Sequence, residues 1–162
     1  MTKSLKVLAA LIIAGFTVLV LFLAGYRNWY SQQPAAGFPT GGISAAVERA
    51  DEANLTFLGV SHVDLYGPNY PLAVTVCPRM VPSDIAAQLQ LPGAIKGIAN
   101  PDEPVDMEHN YLVLIDQQGN AVADKLNRAE VDLCGLAQQA VIQPNQVMQF
   151  QKSEEGNWVL AG

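Results

Sequence analysis

Hydrophobic positions follow two unlike regimes along this 162-residue chain. From Val7 to Gly25 they run almost unbroken, with Thr17 the one polar residue among them. From Ile43 onward they recur between polar residues at the spacing of helices or strands. Ile43, Ala46, Val47, Ala50 and Ala53 lie at helical spacing with Glu48, Arg49, Asp51 and Glu52 between them, which predicts a helix over residues 43–53. Leu55 to Tyr66 reads as β-like with an irregularity at Gly59. In Leu72 to Cys77, residues Leu72, Val74 and Val76 alternate with Ala73, Thr75 and Cys77, the period of a strand. Gly67-Pro68-Asn69 marks a turn between these runs. Ser83 and Asp84 suit the cap and first turn of a helix over Ile85 to Leu91, which Pro92-Gly93 ends.

Tyr111 to Ile115 and Ala121 to Leu126 flank a polar, Gly-containing connection and predict a β-hairpin. Asn127, with Glu130 three residues on, resembles a capping pair and predicts a helix running to about Val141. Val147 to Gln151 and Trp158 to Leu160 form a second predicted hairpin. Together these elements predict an α+β domain in which a mainly antiparallel sheet packs on two or three helices.

The apolar run carries a different expectation. Its nineteen residues, at about 1.5 Å each, match the roughly 30 Å hydrocarbon core of a bilayer. Twelve of them are Leu, Ile, Val or Phe, worth about −4 to −7 kcal/mol of insertion. No A-x-A-like cleavage site follows Leu23, so the run reads as a retained anchor and not a removed signal. Lys3 and Lys6 precede it, while Tyr26, Arg27, Trp29 and Tyr30 follow as interface anchors, so the N-terminus is expected in the cytoplasm. Ala10, Ala14, Thr17 and Ala24 share one helix face, where small residues admit a neighbouring helix. Residues 28–42 contain a stretch rich in Pro, Gly and Gln that reads as a flexible tether. The expected division is therefore a cytoplasmic N-terminus (1–6), a transmembrane helix (7–27), an interfacial segment and linker (28–42), and an extracytoplasmic α+β domain (43–162) of a single-pass cell-membrane protein.

Charge sharpens this picture. Residues 31–162 hold six basic and all fifteen acidic residues, a net charge of −9. Such a domain repels nucleic acid and anionic headgroups and attracts basic partners or cations. Cys77 and Cys134 are the only cysteines, both on the side expected to be oxidising. Pairing them is the default, and closing that 57-residue separation is worth about 4 kcal/mol in the chain-entropy description.

Catalytic signatures are harder to find. His62 and His109 have no nucleophile motif nearby, and neither Ser61 nor Ser83 stands at a spacing that supports a triad, so a non-enzymatic role is expected. The densest candidate chemistry is Ala99 to Asn110, where Asp102, Glu103, Asp106, Glu108 and His109 gather around two prolines. Oxygen donors at this density suit a hard cation, but the spacing matches no known ligand set, so a solvated or protein-contacting loop is the favoured reading and metal binding its rival. No cofactor is expected.

The arrangement SLKVLAALIIAGFTVLVLFLAGYRNWY, then a Pro/Gly tether, then an acidic domain with two cysteines, resembles actinobacterial cell-envelope proteins. More narrowly it is similar to the small single-pass accessory subunits of the actinobacterial respiratory supercomplex of cytochrome bcc and cytochrome oxidase. That resemblance implies a subunit without haem or copper of its own, consistent with the lack of C-x-x-C-H, that binds and stabilises an integral membrane complex through its helix and acidic domain. The alternative expectation is an anchored solute- or metal-binding domain.

Overall fold

The structure, a computed structural model, describes residues 40–135 and 140–161. They form an α+β domain with three short helices and eight strands: α1 (Gly42–Glu52), β1 (Phe57–Ser61), α2 (His62–Tyr66), β2 (Leu72–Val76), α3 (Pro82–Gln88), β3 (His109–Ile115), β4 (Ala121–Asn127), β5 (Val131–Asp132), β6 (Val141–Ile142), β7 (Val147–Lys152) and β8 (Trp158–Ala161).

Helix α1 forms because its apolar residues make one stripe: Ile43, Ala46, Val47 and Ala50 are buried and the charged residues face out. Its start is fixed from outside. The buried Asp124 carboxylate accepts the Gly41 N–H at 2.9 Å and the Tyr66 hydroxyl at 2.5 Å, while that hydroxyl also accepts the Ile43 N–H at 3.1 Å. Burial, followed by the Asp124 charge, drives the Tyr66 phenol far above its usual range, so it stays protonated and donates. Gly42 must be small here, since a Cβ would lie 2.8 Å from the Tyr66 ring.

The strands form two four-stranded sheets, β1-β7-β8-β5 and β4-β3-β2-β6. The second sheet is antiparallel throughout and buried on both faces. Ala73, Leu112, Leu114, Val122 and Leu126 face α1 and the Met148, Phe150, Trp158 and Leu160 side chains of the first sheet. Alternate residues Val74, Val76, Val113, Ile115, Ala121 and Ala123 pack on Ile85 of α3, with Ile95 and Val105 from the connecting loop. Burying a side chain such as Phe150 or Leu112 contributes about 1.5–3 kcal/mol each.

Several sequence expectations are corrected. The sheet is not one mainly antiparallel unit but two, and the first is mixed, because Val131 and Asp132 run parallel to Trp158 and Val159. The helix expected over 127–141 is replaced by a turn and two short strands, with residues 136–139 outside the described part. Asn127 does bond the backbone as a capping residue would, accepting the Ala129 N–H at 2.9 Å, but it closes a turn instead of opening a helix. Buried Asn110 then holds the following segment extended, donating to the Val131 carbonyl and accepting the Leu133 N–H. The expected β-run from 55 to 66 breaks at Ser61, whose hydroxyl accepts the Val63 N–H and starts α2. Helix α3 begins earlier than expected, with Pro82 in its first turn, and Val81, not Ser83, in the cap position.

The transmembrane helix expected over 7–27 lies outside the described residues, as do its packing face Ala10, Ala14, Thr17 and Ala24 and its interface residues Tyr26, Arg27, Trp29 and Tyr30. Among the described residues no helix is long and apolar enough to cross a membrane. The longest, α1, has eleven residues and a charged outer face. The single-pass architecture, the cell-membrane location and the partnership with a membrane complex are accordingly withdrawn in favour of what the chain does display, an α+β domain with mixed sheet and short helices.

Candidate functional site

The turn after β2 supplies the site's most unusual residue. Cys77-Pro78-Arg79-Met80 closes a β-turn in which the Met80 N–H donates to the Cys77 carbonyl at 3.1 Å. Proline suits its second position, and the third, which Arg79 occupies at φ +70°, is one that glycine ordinarily fills. A left-handed backbone costs an L-residue about 1–2 kcal/mol. The turn is held in place regardless: Arg79 N–H donates to the Val105 carbonyl at 2.8 Å, and Val105 N–H to the Met80 carbonyl at 2.9 Å. The Arg79 side chain is exposed, and its guanidinium has no ion-pair partner among the described residues.

Opposite it stands Arg128, directly after β4. Its guanidinium bonds the Asp132 carboxylate at 2.6 Å and the Met107 carbonyl at 3.1 Å, leaving the buried Nε without a partner among the described residues. The Asp132 carboxylate holds the Arg128 guanidinium further above its already high range. Asp132 spends its other oxygen on the Cys134 N–H at 2.8 Å. Cys134 is bonded to Cys77 across a Cα–Cα distance of 5.8 Å, so the disulfide joins the end of β2 to the segment following β5. The Cys77 N–H meets the Met80 sulfur at 3.4 Å.

These residues enclose a cleft of about 520 Å³ lined by Cys77, Pro78, Arg79, Met80, Met107, Arg128 and Cys134. A second cleft of about 640 Å³ shares Met107 and Arg128 with it and continues past Glu108, Asp132, Glu155 and Asn157. Met107 is 56% exposed at their junction. One end of the groove is thus thioether and guanidinium, the other carboxylate and amide. A third cleft, of about 580 Å³, lies beside α1 among Glu48, Asp51, Glu52, Glu130 and Trp158. There the Trp158 indole and Lys152 both donate to Asp51, at 3.1 and 2.5 Å.

The acidic loop singled out from sequence behaves as a self-contained turn. Asp106 Oδ1 accepts the Glu108 and His109 N–H groups at 2.9 Å each and lies 2.8 Å from His109 Nδ1. The His109 imidazole first, then those two N–H groups, hold the Asp106 carboxyl below its usual range against the opposing effect of desolvation. Glu103 accepts from the Asn100 amide at 3.0 Å, and Glu108 turns to the larger cleft. No three His, Cys, Asp or Glu side chains among the described residues are placed to hold a metal ion, which overturns a cation site built on Asp102, Glu103, Asp106, Glu108 and His109. Of the loop's carboxylates, Glu103 and Asp106 are spent on its own donors. Ser61 caps α2, its hydroxyl accepting the Val63 N–H.

Sequence alone did not single out Arg79, Arg128 or Met80. One signal was available, since Pro78 directly after Cys77 suits the second position of a turn whose third position, held here by Arg79, is ordinarily a glycine. Arg128 carried none, its importance arising from neighbours 21 residues before it and four after it. Comparison with protein-family models, with curated proteins and with solved structures found no match to this chain.

Proposed function

We propose that this domain is a non-catalytic binding module that takes a short extended segment of a partner protein, seating one carboxylate between Arg79 and Arg128 and neighbouring apolar side chains on Met80 and Met107. The observation that carries this reading is Arg79, an exposed arginine without an ion-pair partner among the described residues, kept in a backbone conformation that glycine would occupy more cheaply. Strain of this kind collects where a side chain must be aimed at a ligand.

The surrounding chemistry agrees. A guanidinium presents a planar fork that matches a carboxylate, and methionine side chains adapt to varied apolar groups. Arg128 is committed to Asp132 and Met107, so it acts as a fixed positive wall while Arg79 makes the direct bond. A single carboxylate flanked by apolar residues fits better than an acidic run, because the rest of the domain repels extended negative charge. The two clefts are lined by guanidinium, carboxylate, amide and thioether groups, with both cysteine sulfurs closed into a disulfide, which favours recognition over covalent chemistry.

Binding to a fluorescent peptide library tests this directly. Peptides carrying one carboxylate beside Leu or Met should be selected, and Arg79→Ala should weaken them about tenfold or more, the equivalent of about 1.4 kcal/mol. Arg79→Gly suits the turn, keeps the fold, and should lose the same affinity, separating recognition from stability. Selection of basic peptides, or undiminished binding by both variants, would defeat the proposal.

A further inference from the structure

The disulfide joins two segments of the fold and also forms part of a cleft wall. Cys77 and Cys134 line the cleft of about 520 Å³ together with Arg79 and Arg128, which are the charged residues of that lining. The two sulfurs are not equivalent. Cys77 follows β2 and its residue is 5% exposed, whereas Cys134 is half-buried and precedes the exposed Gly135. With both sulfurs closed, the protein offers no cysteine nucleophile, yet the bond itself is an electrophile toward thiols.

Thiol–disulfide exchange needs access to one sulfur and a leaving thiolate that its surroundings stabilise. Access singles out Cys134, which makes Cys77 the leaving group. Guanidinium groups nearby favour a thiolate over a thiol. Arg128 is paired with Asp132, so Arg79, which has no ion-pair partner among the described residues, supplies the uncompensated charge in the cleft.

We propose that this disulfide is a site of exchange with a small thiol that bears a carboxylate, as thiol peptides do, with Arg79 holding the carboxylate while the thiolate attacks Cys134 Sγ. This rests on the reading of Arg79 as a carboxylate seat and adds the sulfur chemistry beside it. The incoming thiol gives its proton to water and its sulfur bonds Cys134 Sγ. The Cys77–Cys134 bond breaks, and Cys77 leaves as a thiolate that takes up a proton. A second thiol then attacks the sulfur of the first, releasing Cys134 and a small disulfide, so two thiols are oxidised for each protein disulfide reduced. The charge of the domain makes such a preference informative. Residues 31–162 carry a net charge of −9, so the surface at large repels an anionic thiol and attracts a cationic one. Only a local positive site reverses that order.

The rate at which thiols appear in the full chain tests this. Glutathione should open the bond faster than cationic cysteamine once each rate is corrected for thiolate content, and added salt should shrink the difference. Arg79→Ala should slow glutathione about tenfold, the scale of one lost hydrogen bond between charged groups, and leave dithiothreitol, which has no carboxylate, at its wild-type rate. Arg79→Gly, which suits the turn, should behave alike. Iodoacetamide added during the reaction should find glutathione on Cys134 and the alkyl label on Cys77. A faster reaction with cysteamine, an equal loss of rate with glutathione and dithiothreitol, glutathione on Cys77, or a bond that resists glutathione in the folded protein overturns the proposal. Peptide selection through Arg79 with exchange indifferent to Arg79 defeats the exchange alone. Exchange that depends on Arg79 without any peptide selection supports it and removes the peptide-binding module instead.

Discussion

At the scale of single residues, the two positions of greatest consequence are ones where the chain tolerates an unfavourable state. Arg79 tolerates a backbone conformation, and His62 tolerates burial: its accessibility is 0%, and neither ring nitrogen makes a hydrogen bond of normal geometry among the described residues. Desolvation holds the His62 imidazole below its ordinary value of 6.5, and the nearby main chain of Tyr70 and Pro71 offsets this in part. The sign follows from proton binding. Just below that value the unfolded chain takes up a proton that the folded chain refuses, so stability rises with pH through this window and is lost as pH falls below about 6.5. Thermal unfolding should therefore show a midpoint that is level above neutrality and declines between about pH 6.5 and 5, before most carboxylates titrate. His62→Phe should flatten that interval, and an unaltered slope in the variant would assign the effect elsewhere. Of the two, only Arg79 left a trace in the sequence, through the turn-forming Pro78 before it. A histidine in SHVDLY has no partner to announce it, and only the packing of α2 shows that it is enclosed.

Among elements, periodicity located those whose burial is one-sided or regularly alternating. Helix α1, strand β2, the β3–β4 hairpin and the β7–β8 hairpin were all visible in this way, because Ile43, Val47 and Ala50, or Leu112 and Leu114, repeat at the spacing their element imposes. Where a side chain bonds the local main chain, the pattern misled. Asn127 and Ser61 each carry a capping chemistry that sequence can detect, but whether it opens a helix or closes a turn depends on what Asn110 and the neighbouring strands do with the next residues. The division into two sheets depends on contacts far apart in the chain and was not legible at all. The same holds for the clasp that joins elements through Asp124, which binds the start of α1 and the end of α2 to β4 over 83 and 58 residues of sequence. Asp124→Ala leaves the Gly41 N–H and the Tyr66 hydroxyl short of a partner, and should cost about 2–3 kcal/mol in denaturant unfolding, as charged hydrogen bonds do. Tyr66→Phe should cost about 1–2 kcal/mol by the same reasoning. Because the residues share one network, the double variant should fall short of the sum; strict additivity would mean that they stabilise independently.

For the whole molecule, the question is what keeps two small sheets in register when each of them ends in a two-residue strand. Strand β5 pairs with its sheet at Val131 and Asp132, with one further main-chain bond from the Trp158 N–H to the Glu130 carbonyl. Its position is reinforced from the other sheet: Asn110 grips the backbone at Val131 and Leu133, Arg128 grips Asp132, and the disulfide ties Cys134 to the end of β2. The covalent link therefore acts at the place where strand pairing is weakest. Replacing both cysteines with alanine should lower unfolding free energy by up to about 4 kcal/mol through the freer unfolded chain, and the loss should have a local signature as well. Amide hydrogens of residues 131–134 should exchange faster than those of β3 and β4, whose seven-residue pairing needs no such help. The cleft wall formed by Cys134 and Arg128 should loosen with them, so peptide affinity should fall even under conditions where the variant remains folded. If exchange rises uniformly across both sheets while affinity is kept, the disulfide serves only the unfolded-state term, and the non-covalent grips from Asn110 and Arg128 suffice to hold β5 in place.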